Sequence, residues 1–319
     1  MFTRYFTERK IYALSALILF VLILAGCGGK TATNTTTSVN NPISQQIPAS
    51  PSASAGLSSM ATAMLKRQPV GNASLNWDPA DHMLAVQLML TGLAPNSVHP
   101  VHIDQGTCSS AQASKSTSGT PLAAKPLYPL VNVTADTHGA IHTSSKISVP
   151  TGIPAKNWYL VMYDGPGLST SAQATPIICG NIINHDTSLR SPQSAQVPLQ
   201  APPGAANQDA TGTARLSLSG HTLTVQLTVT GLAPKTQHAV HIHTGTCISQ
   251  GSVVYPLTTL ISDASGKAVS TTTIQNVQGI PTTGWYINVH NSTDMSTQTG
   301  FDPVACGNIT PGSTAPGKV

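Results

Sequence analysis

The stretch Leu84-Ala-Val-Gln-Leu-Met-Leu-Thr-Gly-Leu-Ala-Pro95 returns later in the chain as Leu223-Thr-Val-Gln-Leu-Thr-Val-Thr-Gly-Leu-Ala-Pro234, at an offset of 139 residues. In both stretches large apolar residues alternate with polar or small ones, which is the period of a β-strand with one buried face. The same Gly-Leu-Ala-Pro turn then ends each strand. The chain therefore presents one strand-and-turn unit twice.

The repetition extends through most of the sequence. An offset of 127 residues relates Trp158-Tyr and Cys179-Gly-Asn-Ile to Trp285-Tyr and Cys306-Gly-Asn-Ile. Each copy contains short alternating segments separated by turns and lacks extended helical periodicity, which predicts an all-β protein. We expect two tandem Greek-key β-sandwich or barrel domains, at residues 70–184 and 208–310. A Pro-, Gln- and Ala-rich linker at 185–207 would join them, and a tail would follow at 311–319.

The N-terminal segment has the features of an export signal. Three basic residues precede an apolar run that is shorter than the ~20 residues needed to span a bilayer. The following Leu24-Ala25-Gly26-Cys27 resembles the bacterial lipoprotein signal. We therefore expect residues 1–27 to be a signal peptide, with Cys27 lipidated. An uncleaved membrane anchor with an incidental cysteine is the alternative, and both place the rest of the chain outside the cytoplasm.

The segment after the signal is rich in Thr, Asn, Ser, Gln, Ala and Pro. Such a composition buries too little apolar surface to fold, so residues 28–69 are expected to form a disordered tether. A short amphipathic piece near Met60–Leu65 is the one irregularity in it. With this signal and tether, we expect the protein to be extracytoplasmic and lipid-anchored to a bacterial cell membrane. The membrane is the only binding partner that the sequence predicts.

The charge content excludes several function classes. Only 8% of the 319 residues are charged, where ordinary domains have roughly 25%. The 15 Lys and Arg residues are dispersed, so we expect no nucleic-acid binding, which needs a concentrated basic face. Glu8 is the only glutamate, which argues against acid/base catalysis by paired carboxylates.

Four cysteines remain when Cys27 is set aside, and four cysteines allow three pairings. The duplication favours one bridge within each copy, because each copy must once have been self-sufficient. The expected bridges are Cys108–Cys179 and Cys247–Cys306, which an oxidising compartment permits.

Histidines concentrate in the second copy. His241 and His243 are two apart on a predicted strand and therefore point to the same side. His290 ends another predicted strand, and three imidazoles converge if the two strands are neighbours. Three neutral imidazoles suit Cu(II) or Zn(II), with copper favoured by affinity. The alternative is a set of polar residues on a solvated face, or a buried cluster with ordinary hydrogen bonds.

The segment from Gly231-Leu-Ala-Pro through His238-Ala-Val-His241-Ile-His243 to Gly245-Thr-Cys247 resembles the copper-binding signature of the Cu/Zn superoxide dismutases. Val289-His290 resembles the third copper-ligand position of that family, and Ala305-Cys306-Gly307 resembles its disulfide motif. The chain is also similar to CHRD domains, which are relatives without a complete enzyme site. The resemblance implies a dismutase-like sandwich in each copy.

The resemblance also implies site roles. It assigns His241, His243 and His290 to one copper ion, and places His238 behind the metal, where it would orient a ligand. Repeat 2 has no histidine between residues 244 and 289, so the family's bridging ligand and zinc ligands are missing and we do not expect zinc. Pro303 stands where the family has its substrate-guiding arginine.

These departures leave three functions open. One is a copper-binding, superoxide dismutase-like protein with some superoxide or other redox activity, and the sequence does not decide whether it is an enzyme. The second is a non-enzymatic CHRD-like binding or cell-surface module with a vestigial site, and the third is a copper-holding protein. In repeat 1, His102 is retained, but Asp104 and Tyr163 replace the other two histidines, so we expect its metal site to be degenerate and its role structural.

Overall fold

The computed structural model describes residues 57–111 and 126–312. The elements up to residue 199 are β1 (Leu57–Ser58), β2 (Met60–Arg67), β3 (Val70–Asp78), β4 (Met83–Thr91), β5 (Val98–His99), β6 (Val101–Gln105), α1 (Cys108–Ala111), β7 (Tyr128–Pro129), β8 (Val133–Thr134), β9 (Ile141–Ser148), β10 (Trp158–Tyr163), β11 (Pro176–Ile182) and β12 (Gln193–Leu199). The later elements are β13 (Thr211–Ser219), β14 (Thr222–Thr230), β15 (Gln237–His238), β16 (Val240–Thr246), β17 (Ser249–Pro256), β18 (Leu260–Ile261), β19 (Ala268–Ile274), β20 (Ile280–Pro281), β21 (Trp285–His290), α2 (Gln298–Phe301) and β22 (Pro303–Pro311). The prediction of an all-β protein is confirmed.

The strands surround two hydrophobic cores. The first sandwich consists of the sheets β12-β3-β4-β9 and β11-β10-β6-β7, and Trp77 and Leu160 lie in its core. The second sandwich is one eight-stranded sheet, β17-β16-β21-β22-β2-β13-β14-β19, which encloses a core containing Leu216 and Ile287. In β14 the burial alternates from Leu223 to Val229, as the apolar period predicts. All described residues fall within one compact unit.

The two sandwiches exchange a strand. In the chain β2 immediately precedes β3, but it pairs with β13 on one side and β22 on the other, inside the second sandwich. Conversely, β12 precedes β13 but pairs with β3 in the first sandwich, and Gln200, the residue after it, forms a bridge with Cys179 of β11. Each sandwich is therefore completed by a strand that the sequence places at the start of the other.

Two predicted boundaries are wrong because of this exchange. The predicted tether at 28–69 ends in ordered structure, since β2 buries Ala61, Ala63 and Leu65 at alternate positions. The predicted linker at 185–207 contains β12, in which Ala195, Val197 and Leu199 are buried. Small apolar residues between Thr, Gln and Met gave both segments the composition of a linker, although their alternation is that of strands.

Both predicted disulfide bonds are confirmed. Cys108 is bonded to Cys179 and Cys247 to Cys306, each with Cα atoms 5.8 Å apart. In each sandwich the bond ties the segment after the histidine-bearing strand, β6 or β16, to the last strand of that copy, β11 or β22. The two bonds therefore fix the loops that border the outer faces of β6 and β16.

The predicted signal peptide, the lipidated Cys27, most of the tether and most of the tail lie outside the described residues. Within residues 57–111 and 126–312, no helix has the length and apolar character needed to cross a membrane.

Candidate metal centre

The sequence-predicted histidines lie on two adjacent strands of the second sandwich. β16 and β21 pair antiparallel, with His241 opposite Asn288 and His243 opposite Tyr286. Because side chains alternate along a strand, Ile242 points into the core while both histidines point to the outer face. His290, at the end of β21, is on that same face and is fully buried.

The three imidazoles converge, as the sequence predicts. Their ring centroids are 5.6 Å apart for His241 and His243, 5.1 Å for His241 and His290, and 5.9 Å for His243 and His290. One ligand atom from each ring lies within 4.8 Å of the others. Three nitrogen donors at this separation could hold one metal ion.

Backbone carbonyls fix which nitrogen of two rings is available. His243 Nδ1 donates to the Gly251 carbonyl at 3.0 Å, and His290 Nδ1 donates to the carbonyl of Phe301. A carbonyl oxygen only accepts, so both rings carry their proton on Nδ1 and leave Nε2 free. His243 Nε2 is buried and has no hydrogen-bond partner among the residues that the structure describes. His290 Nε2 instead lies 3.1 Å from His241 Nδ1.

Burial keeps these imidazoles neutral. It lowers the pKa of His290 to about 4, an effect that the nearby His241 and His243 increase and the hydrogen bond to Phe301 partly offsets. Burial also lowers the pKa of His241 and of His243. A metal ion binds the neutral ring, so the site needs little proton displacement at neutral pH.

His238 lies behind the ligand set. It is fully buried, and its Nδ1 donates to the His290 carbonyl at 2.8 Å while Nε2 contacts Thr236 Oγ1 at 2.8 Å. It therefore contacts the backbone of one histidine of the cluster and fixes where β21 ends.

Contacts with the first sandwich position the Gly251 carbonyl, which lies in β17 of the second sandwich. Gln250 immediately precedes Gly251, whose carbonyl binds His243. The Gln250 side chain donates to the Leu93 carbonyl at 2.7 Å, and its backbone N–H donates to the His138 carbonyl at 3.1 Å. Because Gln250 is buried, these bonds between the sandwiches are shielded from water.

Helix α2 links the first sandwich to the Phe301 carbonyl, which orients His290. Gln298, at its start, accepts from Val98 N–H at 3.0 Å and donates to the Val98 carbonyl at 2.9 Å. Its amide also donates to the Asp164 carbonyl at 2.6 Å. Phe301, which ends the same helix, supplies the carbonyl that binds His290. Both orienting carbonyls therefore depend on contacts with the first sandwich, which the sequence did not indicate.

If the three histidines hold a metal ion, we expect Gln298→Ala to weaken the binding of added Cu(II) about 10-fold, since loss of a group that orients a ligand typically costs 10–100-fold in metal affinity. The reason is that α2 loses its three hydrogen bonds to Val98 and Asp164 and no longer fixes the Phe301 carbonyl. A competition titration with a copper chelator measures the effect. Gln226→Ala, at an exposed position of β14, is the matched control, and equal affinities for both variants would contradict this role.

Sequence reasoning missed a buried ionic cluster between the sandwiches. The Nε and Nη1 atoms of Arg67, at the end of β2, are buried near Asp164 and Asp302. Burial lowers the pKa of Arg67 to about 10, which the two carboxylates partly offset. These residues border a cavity of about 220 Å³ that also reaches Pro303. The strand exchange thus brings the positive charge of Arg67 close to Asp164 and Asp302 of the interface between the sandwiches.

The residues of repeat 1 occupy the corresponding outer face of the first sandwich. His102 and Asp104 lie on β6, Tyr159 and Tyr163 on the neighbouring β10, and all four are buried. Asp104 and Tyr163 stand there at the positions that the sequence repeat relates to His243 and His290.

His99 makes the stability of the protein depend on pH. It is fully buried between the Tyr163 carbonyl and Ser97 Oγ, and burial lowers its pKa to about 4. Below pH 6.5 the unfolded chain therefore binds a proton that the folded chain does not, so stability falls as the pH is lowered from about 6.5 toward 4. We expect His99→Gln to reduce the loss of unfolding free energy between pH 6.5 and 4 by roughly 3 kcal/mol. Urea unfolding at several pH values measures this difference. His142→Gln, at an exposed position, should keep the wild-type dependence of stability on pH. If His99→Gln also keeps the wild-type dependence, His99 is not its source.

Comparison with known proteins adds one family match. Residues 191–296 match the CHRD domain family. No curated protein matches the chain. The matched segment runs from just before β12 to just after β21 and includes the three converging histidines. The chain therefore contains a CHRD domain at residues 191–296.

Proposed function

We propose that the second sandwich binds one copper ion through His241, His243 and His290. The observation that carries this proposal is the convergence of three imidazole donors within 4.8 Å on the outer face of β16 and β21. The free Nε2 of His243 and the close approach of His241 Nδ1 to His290 Nε2 indicate the atoms that would face the ion. In the absence of metal, His241 Nδ1 donates to His290 Nε2, because His290 carries its own proton on Nδ1.

The donor set favours copper. An all-imidazole site without carboxylates suits Cu(II) and Zn(II), and Cu(II) binds more tightly at equal geometry. The Tyr286 ring stacks on His243 with centroids 5.0 Å apart, and Phe301 lies 5.0 Å from His290, so aromatic groups border the ligands. The chain's residues would hold the ion, exclude part of the solvent and fix the ligand tautomers, while copper would supply one-electron redox chemistry.

A copper-holding role fits the surroundings better than fast superoxide dismutation. Rapid capture of an anion requires a positive field around the metal. The positive charge of Arg67 is balanced by Asp164 and Asp302, and Pro303 contributes none. The assignment to a superoxide dismutase-like Greek-key type, and the origin of the two sandwiches as tandem copies, remain parts of this proposal, supported by the motifs and offsets of the sequence.

A non-enzymatic CHRD module is the second candidate. It is favoured by the domain match at 191–296 and by the extensive contact between the sandwiches, which would suit a rigid surface module. We further propose that the protein is anchored outside the cytoplasm through Cys27, which the lipoprotein-like motif supports.

Copper titration of the purified chain separates these functions. A copper-holding protein should bind one equivalent, and His243→Ala should weaken binding by at least about 100-fold, because one of three ligands is lost. Assay of superoxide consumption by the copper-loaded chain should give a rate near that of protein-free controls at equal bound copper. Tight copper binding with fast, His243-dependent turnover would show an enzyme, and no copper binding would leave the non-enzymatic module.

A further inference from the structure

The outer face of the first sandwich carries a second group of possible metal ligands. His102 and Asp104 on β6 lie beside Tyr159 and Tyr163 on β10, with Asp104 directly opposite Tyr159 in the strand register. The four side chains share the face that looks away from the core, because their neighbours Ile103, Leu160 and Met162 point into it. Each of the four is no more than 7% exposed.

This group lies where the sequence repeat places the copper ligands of the other copy. The repeat relates His102, Asp104 and Tyr163 to His241, His243 and His290. The His102 and Tyr163 ring centroids are 5.3 Å apart, close to the 5.1 Å between His241 and His290. The arrangement of donors is therefore kept while their chemistry changes from three nitrogens to one nitrogen and oxygens.

Three polar atoms of this group lack well-placed partners. Both carboxylate oxygens of Asp104 and the Nδ1 atom of His102 are buried without a hydrogen bond of acceptable geometry to any residue that the structure describes. Burial raises the pKa of Asp104, and the Leu127 backbone N–H together with the Tyr159 and Tyr163 hydroxyls offsets only part of that rise. Buried polar atoms are nearly always satisfied, and a buried carboxylate is costly without a compensating charge. A buried carboxylate whose hydrogen bonds have such poor geometry thus points to a bound cation.

We propose that His102, Asp104, Tyr159 and Tyr163 form a binding site for Fe(III). A carboxylate and two phenolates are hard oxygen donors, and together they supply three negative charges that balance a trivalent cation in a buried site. Binding forms the iron–oxygen bonds and releases the proton of each phenol, together with the proton of Asp104 where it is protonated. The oxidation state of the metal does not change.

The donors of the two faces differ in charge. A carboxylate and two phenolates offer negative charge to a trivalent ion, and such hard oxygen donors suit Fe(III). The second sandwich, with neutral imidazoles only, offers no such charge balance. The two faces are therefore matched to different metals.

Visible spectroscopy tests this site directly, because a phenolate bound to Fe(III) gives a charge-transfer absorption in the visible range. The purified full chain, stripped of metal, would be titrated with ferric nitrilotriacetate. We expect one equivalent of iron and a visible band. The band should be lost or strongly reduced in Tyr163→Phe, and Asp104→Asn should lower the affinity at least tenfold. His243→Ala, which removes a copper ligand from the other sandwich, is the matched control and should keep the full band.

Three results would overturn the proposal. The first is no iron bound by a folded wild-type chain. The second is iron bound without the band, or with a band that Tyr163→Phe leaves unchanged. The third is a site, sensitive to Asp104→Asn, that takes up Cu(II) or Zn(II) but not Fe(III). Circular dichroism of each variant, compared with the wild type, shows that a lost band is not the result of lost structure.

Discussion

A chain that begins at residue 69 is expected to keep the first sandwich folded and to lose the second. β2 lies between β22 and β13 in the eight-stranded sheet, so its removal leaves two strands with unpaired edges in the middle of that sheet. It also removes Leu65, Ala61 and Ala63 from the core. Burial of one leucine contributes about 1.5–3 kcal/mol, and the unpaired backbone groups add to the loss. Because whole domains are stable by only about 5–15 kcal/mol, the second sandwich should unfold.

Hydrogen exchange provides the measurement, since it reports on each strand separately. Amides of β14 and β21 should lose protection in the truncated chain, whereas those of β4 and β10 should retain it. A chain that begins at residue 57 keeps β1 and β2 and serves as the control. Protection of β14 and β21 in the chain that begins at residue 69 would show that the strand exchange is not needed for folding.

Replacement of Arg67 by Met should destabilise the protein by about 3–5 kcal/mol, the usual cost when one partner of a buried ionic group is removed. Met has a similar length, so the main change is the loss of the positive charge between Asp164 and Asp302. Burial already raises the pKa of Asp164 to about 6, and burial together with the neighbouring Asp164 raises the pKa of Asp302. Urea unfolding at pH 7.5 measures the loss.

The pH dependence and a second substitution separate charge from packing. A carboxylate with a raised pKa destabilises the fold as the pH rises through that pKa, so the defect of Arg67→Met should shrink between pH 7.5 and 5. Adding Asp302→Asn to Arg67→Met should also restore part of the stability. A defect that is the same at both pH values and in the double variant would indicate a packing loss instead.

The sequence was sufficient for the parts of the structure that depend on local pattern. The alternation around Leu84 and Leu223 predicts strands because the period of side-chain direction in a strand is two. The spacing of His241 and His243 predicts a shared face for the same reason. The cysteine pairing followed from the duplication, and the structure confirms it.

The strand exchange could not be predicted in this way. The alternation of Ala61, Ala63 and Leu65 is satisfied equally well against either core, so the local pattern does not decide the partner. Which core β2 joins depends on how the chain segments between the two sandwiches are connected. Such long-range connections are not visible in a local sequence pattern. The CHRD match begins at residue 191 and includes β12, although β12 completes the first sandwich.

Local sequence patterns also could not predict the role of Arg67 or of the carbonyls that orient His243 and His290. A single arginine near the end of a polar segment carries no sequence signal, and its role arises only when β2 is placed beside β22. Gly251 and Phe301 act through backbone oxygens, which any residue supplies. Gln250 and Gln298 position those oxygens across the interface between the sandwiches, which the sequence does not specify.

The central claim is that the second sandwich holds one copper ion by three imidazoles. Electron paramagnetic resonance of the copper-loaded chain, with bound copper quantified, tests it most directly. We predict one Cu(II) per chain with hyperfine coupling to the nitrogens of His241, His243 and His290, and loss of that signal in His243→Ala. A chain that stays free of copper after copper addition, or a signal that His243→Ala leaves unchanged, would contradict the claim.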